Sequence, residues 1–468
     1  MTSSESSGRQ ERRLAGKEVR KKVPRESLGM WSAPADRRDP VQILIDQGDS
    51  RVQDLVPIRY ARMLSSEFAF YRGAAAVMAS DLSYSPNTHL TVQLAGDAHL
   101  SNFGGYAAPD RTFVFDVNDF DETLPGPFEW DLKRLVASFA VAGRANGFDD
   151  KTRAEIIGRV VRTYRESVQT FSQMPRMDVW YSRLTAQDII TEWSSKVDKS
   201  YRKAFEKQLA KAETKTSARA LQKLTTTDAN GNISFVSNPP FMEPFDEVVG
   251  AEDRDAYQHA AQAALVDYRR SLISDRRVLF SGYRVVDLAR KVVGVGSVGT
   301  RCWVMLLMAD QDESDVLMLQ LKQAEASVLE KYLGPSRAHH HGRRVVEGQR
   351  VMQAASDILL GWTQVSVKGQ EVDFYVRQMW DWKDSADIAS MDATALEIYA
   401  HMCGWTLARA HSRSGDRVAL AGYLGTSNTL DRVLTGFAED YADQNAKDYA
   451  ALQAAASAGR IEVAASGW

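Results

Sequence analysis

A strand-rich stretch with a glycine-rich turn constrains the fold of this chain more than any other feature. Gly294, Gly296 and Gly299 form the pattern G-x-G-x-x-G, with Ser297 inside it, and the run TRCWVMLLM that follows is rich in strand formers. A glycine-rich loop that binds a dinucleotide should instead open a helix. The pattern therefore predicts a hairpin whose glycines let backbone amides approach phosphates without interference from Cβ atoms.

A lysine follows this loop where a phosphate site needs one. Lys322 lies near the end of the apolar run VLMLQLKQ and is predicted to sit on a strand and reach the phosphates of a nucleotide. In kinases a glutamate on the next helix holds such a lysine. Glu347 is the predicted partner, with Glu325 and Glu330 as alternatives nearer in sequence.

A second group of motif residues lies earlier in the chain, just after a predicted strand at residues 90–94. Phosphoryl transfer needs a carboxylate near the acceptor hydroxyl and oxygen ligands for Mg²⁺. Asp97 and Asn102 have the Asp-x-x-x-x-Asn spacing that brings both side chains onto one rim of a tight loop.

An acidic run follows one strand later and contains Asp116, Asp119, Asp121 and Glu122. Carboxylates this close repel one another unless cations or solvent compensate, which suits a site for a hard metal ion. Which of the three aspartates meets the metal stays open. An Asx turn at Asp97 and a solvated acidic loop at residues 116–122 would explain these segments without a functional role. The order of the segments along the chain instead favours a phosphate and metal site.

These segments resemble known enzymes. The pattern GDxHxxN at residues 96–102 resembles the catalytic loop of the aminoglycoside and choline phosphotransferase branch of the kinase-like fold. NDFD at 118–121 is similar to that branch's metal-binding element, and GPFEWDL at 126–132 resembles a stretch whose final aspartate braces the loop. The resemblance implies that Asp97 orients or deprotonates a hydroxyl. It also implies that Asn102 and Asp119 hold Mg²⁺ and that Asp131 is a structural anchor.

The order of the motifs is reversed relative to ordinary kinases, in which the glycine-rich lobe precedes the catalytic loop. A circular permutation reconciles the order, because a site depends on positions in space. Residues 397–411 resemble the kinase helix that leads into the catalytic loop, including its Leu-Ala-x-x-His ending. A permuted chain should place this helix after the strand-rich part, as here.

From about residue 57 to 449 the chain resembles a bacterial family named DUF2252, for domain of unknown function 2252. The matching segments are FYRGAA (70–75), GDAHLSNFG (96–104), NDFDET (118–123), GPFEWDLKRL (126–135), KVVGVGSVGTRCW (291–303), LQLKQA (319–324) and YADQN (441–445). This resemblance implies no established activity, so the expected mechanism depends on the motif residues.

The expected fold is α+β, with a kinase-like two-lobed architecture that is circularly permuted and carries a helical insertion. The predicted parts are a flexible basic tail (1–38), a helical part with the catalytic loop, metal segment and insert (39–279), a strand-rich ATP-grasping part (280–385) and a completing helical part (386–468). The insert, at about residues 170–275, is the expected source of acceptor contacts.

Composition excludes several classes of protein. The net charge of −3 argues against a nucleic-acid binder. Cys302 and Cys403 lie too far apart to indicate a disulfide framework or a zinc site. No run approaches the ~20 apolar residues of a membrane helix, so a cytoplasmic location is expected.

The expected cofactors are ATP and Mg²⁺, and the expected partner is an unidentified hydroxyl-bearing acceptor, taken to be a small molecule. The sequence leaves the oligomeric state open. Two alternatives use the same pocket: a pseudokinase that binds nucleotide without turnover, and an enzyme that transfers AMP to a protein side chain.

Overall fold

A computed structural model describes residues 3–193, 199–214, 217–229, 231–312, 314–367, 369–379, 382 and 384–465. They form a mixed α+β protein in which helices predominate. The elements before the insert are α1 (Ser3–Lys22), α2 (Pro40–Asp46), α3 (Val56–Met63), α4 (Glu67–Gly73), α5 (Ala75–Leu82), β1 (Thr91–Leu94), β2 (Phe103–Ala107), β3 (Phe113–Val117), β4 (Leu124–Pro127), α6 (Phe128–Ala145) and α7 (Asp150–Gln173).

The remaining elements fall into three groups. The insert contains α8 (Arg176–Tyr181), β5 (Leu184–Thr185), α9 (Ala186–Trp193), α10 (Lys199–Glu213), α11 (Ser217–Leu224), β6 (Thr225–Thr227), β7 (Ile233–Phe235), β8 (Met242–Pro244), α12 (Phe245–Val248), α13 (Arg254–Ser271) and α14 (Ser274–Phe280). The strand-rich part contains β9 (Tyr283–Lys291), β10 (Cys302–Ala309), β11 (Val316–Gln323), α15 (Glu330–Leu333), α16 (His341–Met352), β12 (Gly361–Val367), β13 (Gln370–Gln378) and β14 (Asp384–Ser385). The chain closes with α17 (Ala393–Ser414), α18 (Arg417–Leu424) and α19 (Thr429–Ser457).

A six-stranded antiparallel sheet organises the strand-rich part, in the order β12-β13-β11-β10-β9-β8. In its register, Lys322 on β11 lies opposite Cys302 on β10 and Tyr375 on β13. The sheet and its packing extend across the expected boundary at residue 280, because β8 pairs with β9 and α13 packs on β12. Part of the insert therefore belongs to the sheet.

The helices before and after the sheet share one hydrophobic core. α6 is buried along most of its length, with α19 packed against it, and α17 packs against α7. Val136 and Phe139 of α6 join Leu407 of α17 and Phe437 of α19 in the same cluster. Segments separated in sequence by the whole sheet thus form a single helical part.

The N-terminal segment differs from the expected flexible tail. Residues 3–22 form α1, which packs against α18. Two glycines allow this close approach: a Cβ at Gly16 would clash with the carbonyl of Ala419, and one at Gly422 with the carbonyl of Arg13. The expectation of a flexible tail is wrong because small residues and backbone atoms, and not large apolar side chains, make the contact between α1 and α18.

Some of the predicted regions lie partly outside the described residues. They are 1–2 of the expected tail, 194–198, 215–216 and 230 of the insert, 313, 368, 380–381 and 383 of the strand-rich part, and 466–468 at the C-terminus. Over the part of the chain that is described, no helix is both long enough and apolar enough to cross a membrane.

Candidate functional site

A cleft of about 180 Å³ brings the two groups of motif residues together. It lies between the six-stranded sheet and the helical part. The predicted residues that line it are Asp97, Asn102, Asp119, Asp121, Gly294, Gly296, Ser297 and Glu325. The two groups of motif residues, which lie far apart in the sequence, therefore line the same cleft.

A buried ion pair connects the two groups directly. Nζ of Lys322 lies 2.7 Å from Oδ2 of Asp121, although the residues are 201 positions apart. The hydroxyl of Tyr375 donates to Oδ1 of Asp121 at 2.6 Å. Burial opposes the charge of both groups, but their attraction outweighs it, so the pKa of Asp121 is lowered and that of Lys322 is raised. Both are therefore ionised at neutral pH.

The glycine-rich loop joins β9 to β10, which confirms the predicted hairpin. Gly294 and Gly299 have φ values of 70° and 90°, a region that side chains with a Cβ rarely adopt. The amide of Val52 donates to the carbonyl of Gly299 at 2.8 Å, and Arg62 donates to the carbonyl of Gly294. The loop is thus held from the helical side of the cleft.

The segment around Asp97 is held by Asp131. This buried carboxylate accepts hydrogen bonds from the amides of Ala95 at 2.7 Å and Gly96 at 3.0 Å. Nε2 of His411, in the last turn of α17, lies 3.2 Å from the same carboxylate. Asp131 thus has the bracing contacts that the resemblance implies, and α17 ends at the loop.

Asp97 lies at the base of the cleft in a charged environment. Nε of Arg134 donates to its Oδ1 at 2.8 Å, and Asn102 closes the loop by donating from Nδ2 to the carbonyl of Asp97 at 2.9 Å. Burial raises the pKa of Asp97, while the charges of Arg134 and Arg72 oppose the rise. The result is a carboxyl group shifted towards the range in which a general base works.

Sequence reasoning missed several polar residues that line the cleft, among them Arg51, Arg72 and His99. His99 is buried, and its pKa lies well below the ordinary value because of burial and then the charge of Arg134. Among the described residues, Nδ1 of His99 and Nε of Arg72 have no hydrogen-bond partner. The signal available for Arg72 and His99 was their presence in the segments FYRGAA and GDAHLSNFG, whereas Arg51 lies in neither segment.

Asp116 is not a metal ligand in this arrangement. Arg409 donates to its Oδ1, the amide of Ala354 donates to its Oδ2 at 2.8 Å, and its side chain is 1% exposed. The carboxylate therefore ties β3 to α17 and to the end of α16. That prediction is wrong because these partners occupy the buried carboxylate of Asp116 away from the cleft lining, which includes Asp119 and Asp121.

The predicted pair between Lys322 and Glu347 is also wrong. Glu347 is exposed and pairs with Arg343 of the same helix at 2.7 Å. Glu330 accepts from the amides of Ser327 and Ser336, and Glu325 accepts from Gln323 and Ser50. From the same helix α16, the buried Arg344 instead donates to the backbone carbonyls of Thr123, Asp121 and Glu325. Asp121 therefore takes the position at Lys322 that a helical glutamate was expected to fill.

The donor set suits a metal ion that arrives with phosphates. Within the described ranges, no group of three His, Cys, Asp or Glu side chains is arranged to hold a metal ion. Mg²⁺ commonly takes one or two carboxylates and completes its shell with water and phosphate oxygens. Asn102, Asp119 and Asp121 offer such a partial shell on one side of the cleft.

The insert covers the apolar half of the same sheet face. Ala220, Leu224 and Phe235 pack on a layer formed by Ala289, Val304, Leu306, Met318 and Met379. The open cleft, of about 180 Å³, is smaller than the roughly 300–1,000 Å³ typical of small-molecule sites.

The sequence was also compared with known proteins. Neither curated proteins nor solved structures gave a match. A family model described as an uncharacterized protein conserved in bacteria, DUF2252, matches residues 51–455. The match includes the cleft residues from Asp97 to Lys322 but leaves α1 and α2 outside. Because this family model covers most of the chain, the protein belongs to the DUF2252 family.

Proposed function

We propose that the protein is an ATP- and Mg²⁺-dependent phosphotransferase that acts on the hydroxyl group of a small molecule. The buried ion pair between Lys322 and Asp121 carries this proposal. It joins a strand lysine to an acidic segment at the cleft that also contains Asp97 and the glycine-rich loop. In kinases, a strand lysine and a metal-binding aspartate act on the same nucleotide phosphates.

The order of the sheet supports a kinase-like fold. The glycine-rich loop joins the first two of the long strands, and Lys322 lies on the third, β11. The helix α16 follows, and β13 then pairs with β11. A lysine on the third strand followed by a helix is the arrangement of protein kinases. With the loop at 96–102 before the sheet and α17 after it, the chain corresponds to a circularly permuted version.

The predicted residues at the cleft have distinct roles in this reaction. The amides of residues 294–299 and Lys322 hold the phosphates, while Asn102 and Asp119 would hold Mg²⁺. The metal ion neutralises charge on the transferring phosphoryl group. Asp97 takes the proton of the acceptor hydroxyl as the new O–P bond forms and the bond from the γ-phosphorus to ADP breaks. ADP leaves with the electron pair of the broken bond.

Binding affinity for MgATP tests the proposal first. Isothermal titration of the full chain should give saturable binding that Lys322→Met abolishes, because a phosphate partner and the Asp121 counter-charge are both lost. Glu347→Gln, on the exposed face of α16, should bind as the wild type does. Circular dichroism reports whether each variant is folded. Failure of the folded wild type to bind ATP would overturn the proposal.

Mass spectrometry after incubation with MgATP and a cell extract separates the proposed reaction from its rivals. A phosphorylated small molecule supports the phosphotransferase. A protein that gains a nucleotide supports AMP transfer, and binding without any product supports a pseudokinase. Asp97→Asn should remove the phosphorylated product while nucleotide binding persists.

A further inference from the structure

The opposite face of the six-stranded sheet borders a second cavity, of about 480 Å³, that the proposed phosphoryl transfer does not use. Side chains alternate along a strand, so Leu319 and Leu321 line this cavity while Lys322 points to the cleft. Helix α13 crosses this face and contributes Ala261 and Ala264. Their small side chains leave room between the helix and the sheet.

The cavity wall is mainly apolar. Its floor includes Leu319, Phe374 and Val376, none more than 3% exposed, and Trp303 is half-buried beside them. The volume lies within the range of roughly 300–1,000 Å³ for small-molecule sites, which are typically apolar with a few polar groups. The walls therefore suit the apolar body of a small ligand.

Positive charge collects at the end of the cavity next to the glycine-rich loop, where Arg51, Arg290 and Arg301 line it. Arg290 pairs with Glu243 at 2.6 Å. Arg301 donates to the side-chain oxygen of Gln323 at 3.2 Å, and Arg51 donates to the carbonyl of Val298, so both have neutral acceptors. Within the described part of the chain, neither Arg51 nor Arg301 makes a salt bridge, and Nε of the buried Arg51 has no hydrogen-bond partner.

The lining also contains one carboxylate, that of Asp253. Glu243 already neutralises Arg290, and the charges of Glu325 and Glu122 partly offset that of Arg51. Arg301 makes no salt bridge with a described residue, so a ligand entering beside Arg51 and Arg301 still meets positive charge. An anionic head group compensates for its own desolvation through charge-assisted hydrogen bonds to arginine, whereas an ammonium group is repelled.

We propose that this cavity binds an amphipathic carboxylate, with its apolar body among Trp303, Met305 and Val376 and its carboxylate towards Arg51 and Arg301. Burial of the apolar body drives binding, and the arginines select the anion. Arg51 also lines the cleft, but the other residues that line this cavity do not, so the proposal stands whether or not the cleft uses ATP.

Titration calorimetry with decanoate, in the absence of nucleotide, tests this site in the full chain. We expect saturable binding of decanoate, and binding weaker by roughly tenfold or more for decanol and decylammonium, since a charge-assisted hydrogen bond is worth about that factor. Arg301→Gln should reduce the affinity for decanoate and leave that for decanol unchanged. Equal affinity for decanoate and decanol would overturn the assignment of an anion.

Two tryptophan substitutions on α13 locate the site. Ala261→Trp fills the cavity and should abolish decanoate binding, whereas Ala263→Trp, on the exposed side of the same helix, should leave it intact. Thermal melts confirm that both variants fold. Full decanoate binding by folded Ala261→Trp, or absence of saturable binding to the wild type, would overturn the proposal.

Discussion

The two faces of the six-stranded sheet are built from the same strands but depend on different parts of the chain. On β11, Lys322 faces the cleft and pairs with Asp121 from the helical part, whereas Leu319 and Leu321 face the cavity beneath α13. The cleft face is charged and needs a partner 201 positions away. The cavity face is apolar and is covered by a helix close in sequence. Removing one charge from the ion pair on the cleft face should therefore lower the free energy of unfolding more than removing one charge from an exposed ion pair.

The largest expected effect is on stability at the cleft face. Asp121→Ala leaves the buried ammonium of Lys322 without its counter-charge and should lower the free energy of unfolding by about 3–5 kcal/mol. Glu347→Ala removes a carboxylate from an exposed pair and should change it by less than about 0.5 kcal/mol. Urea denaturation measures both. Equal free energies of unfolding for the two variants would show that the pair between Lys322 and Asp121 is no more stabilising than the exposed pair of Glu347.

The next effect is a pH dependence from Glu122. Burial raises the pKa of this carboxyl from 4.5 to about 7, against the charge of Arg344. The folded state then holds a proton that the unfolded state releases, so the stabilisation is complete below the unfolded pKa of 4.5 and is lost as the pH rises through 7.

Glu122→Gln removes this titration. Between about pH 4 and about pH 8, the unfolding free energy of the wild type should fall relative to that of the variant by roughly 3 kcal/mol, at about 1.4 kcal/mol per pKa unit. Denaturation series across this range provide the measurement. Parallel pH profiles would contradict the assigned protonation of Glu122.

A smaller effect compares Leu224, in the insert that covers the cleft face, with Leu319, on the cavity face of the sheet. If the cover over the apolar half of the cleft must open for ATP, Leu224→Ala should weaken the closed state and raise the affinity for MgATP by roughly tenfold. Leu319→Ala, in the cavity face, should reduce stability without raising that affinity. Isothermal titration of both variants tests the difference. An unchanged affinity for Leu224→Ala would place the nucleotide base elsewhere.

Features that are determined by residues close together in the sequence could be predicted from the sequence. The hairpin character of residues 294–299 follows from strand formers after the glycines, and the turn between Asp97 and Asn102 is set by six consecutive residues. Short-range periodicity and turn chemistry determine these features.

Pairings between distant residues could not be read in the same way. Nothing near Asp116 indicates that its partner is Arg409, or that Asp121 and not a helical glutamate meets Lys322. Which carboxylate enters a cleft depends on how the sheet docks onto the helices, a property of the whole fold. The contact of α1 with α18 was missed for a related reason, because backbone proximity at Gly16 leaves no apolar pattern.

The dependence of ATP affinity on Mg²⁺ and on Asp119 tests the central claim most directly. Asp119 is half-exposed, and its carboxylate accepts from the amide of Asp121 at 3.2 Å, so Asp119→Ala should fold normally. Titration with ATP, with Mg²⁺ and with EDTA, should show at least a roughly tenfold gain from Mg²⁺ in the wild type. The account predicts that Asp119→Ala loses this gain. A folded variant that keeps the full gain, or a wild type that shows none, would contradict a metal-phosphate site in the cleft.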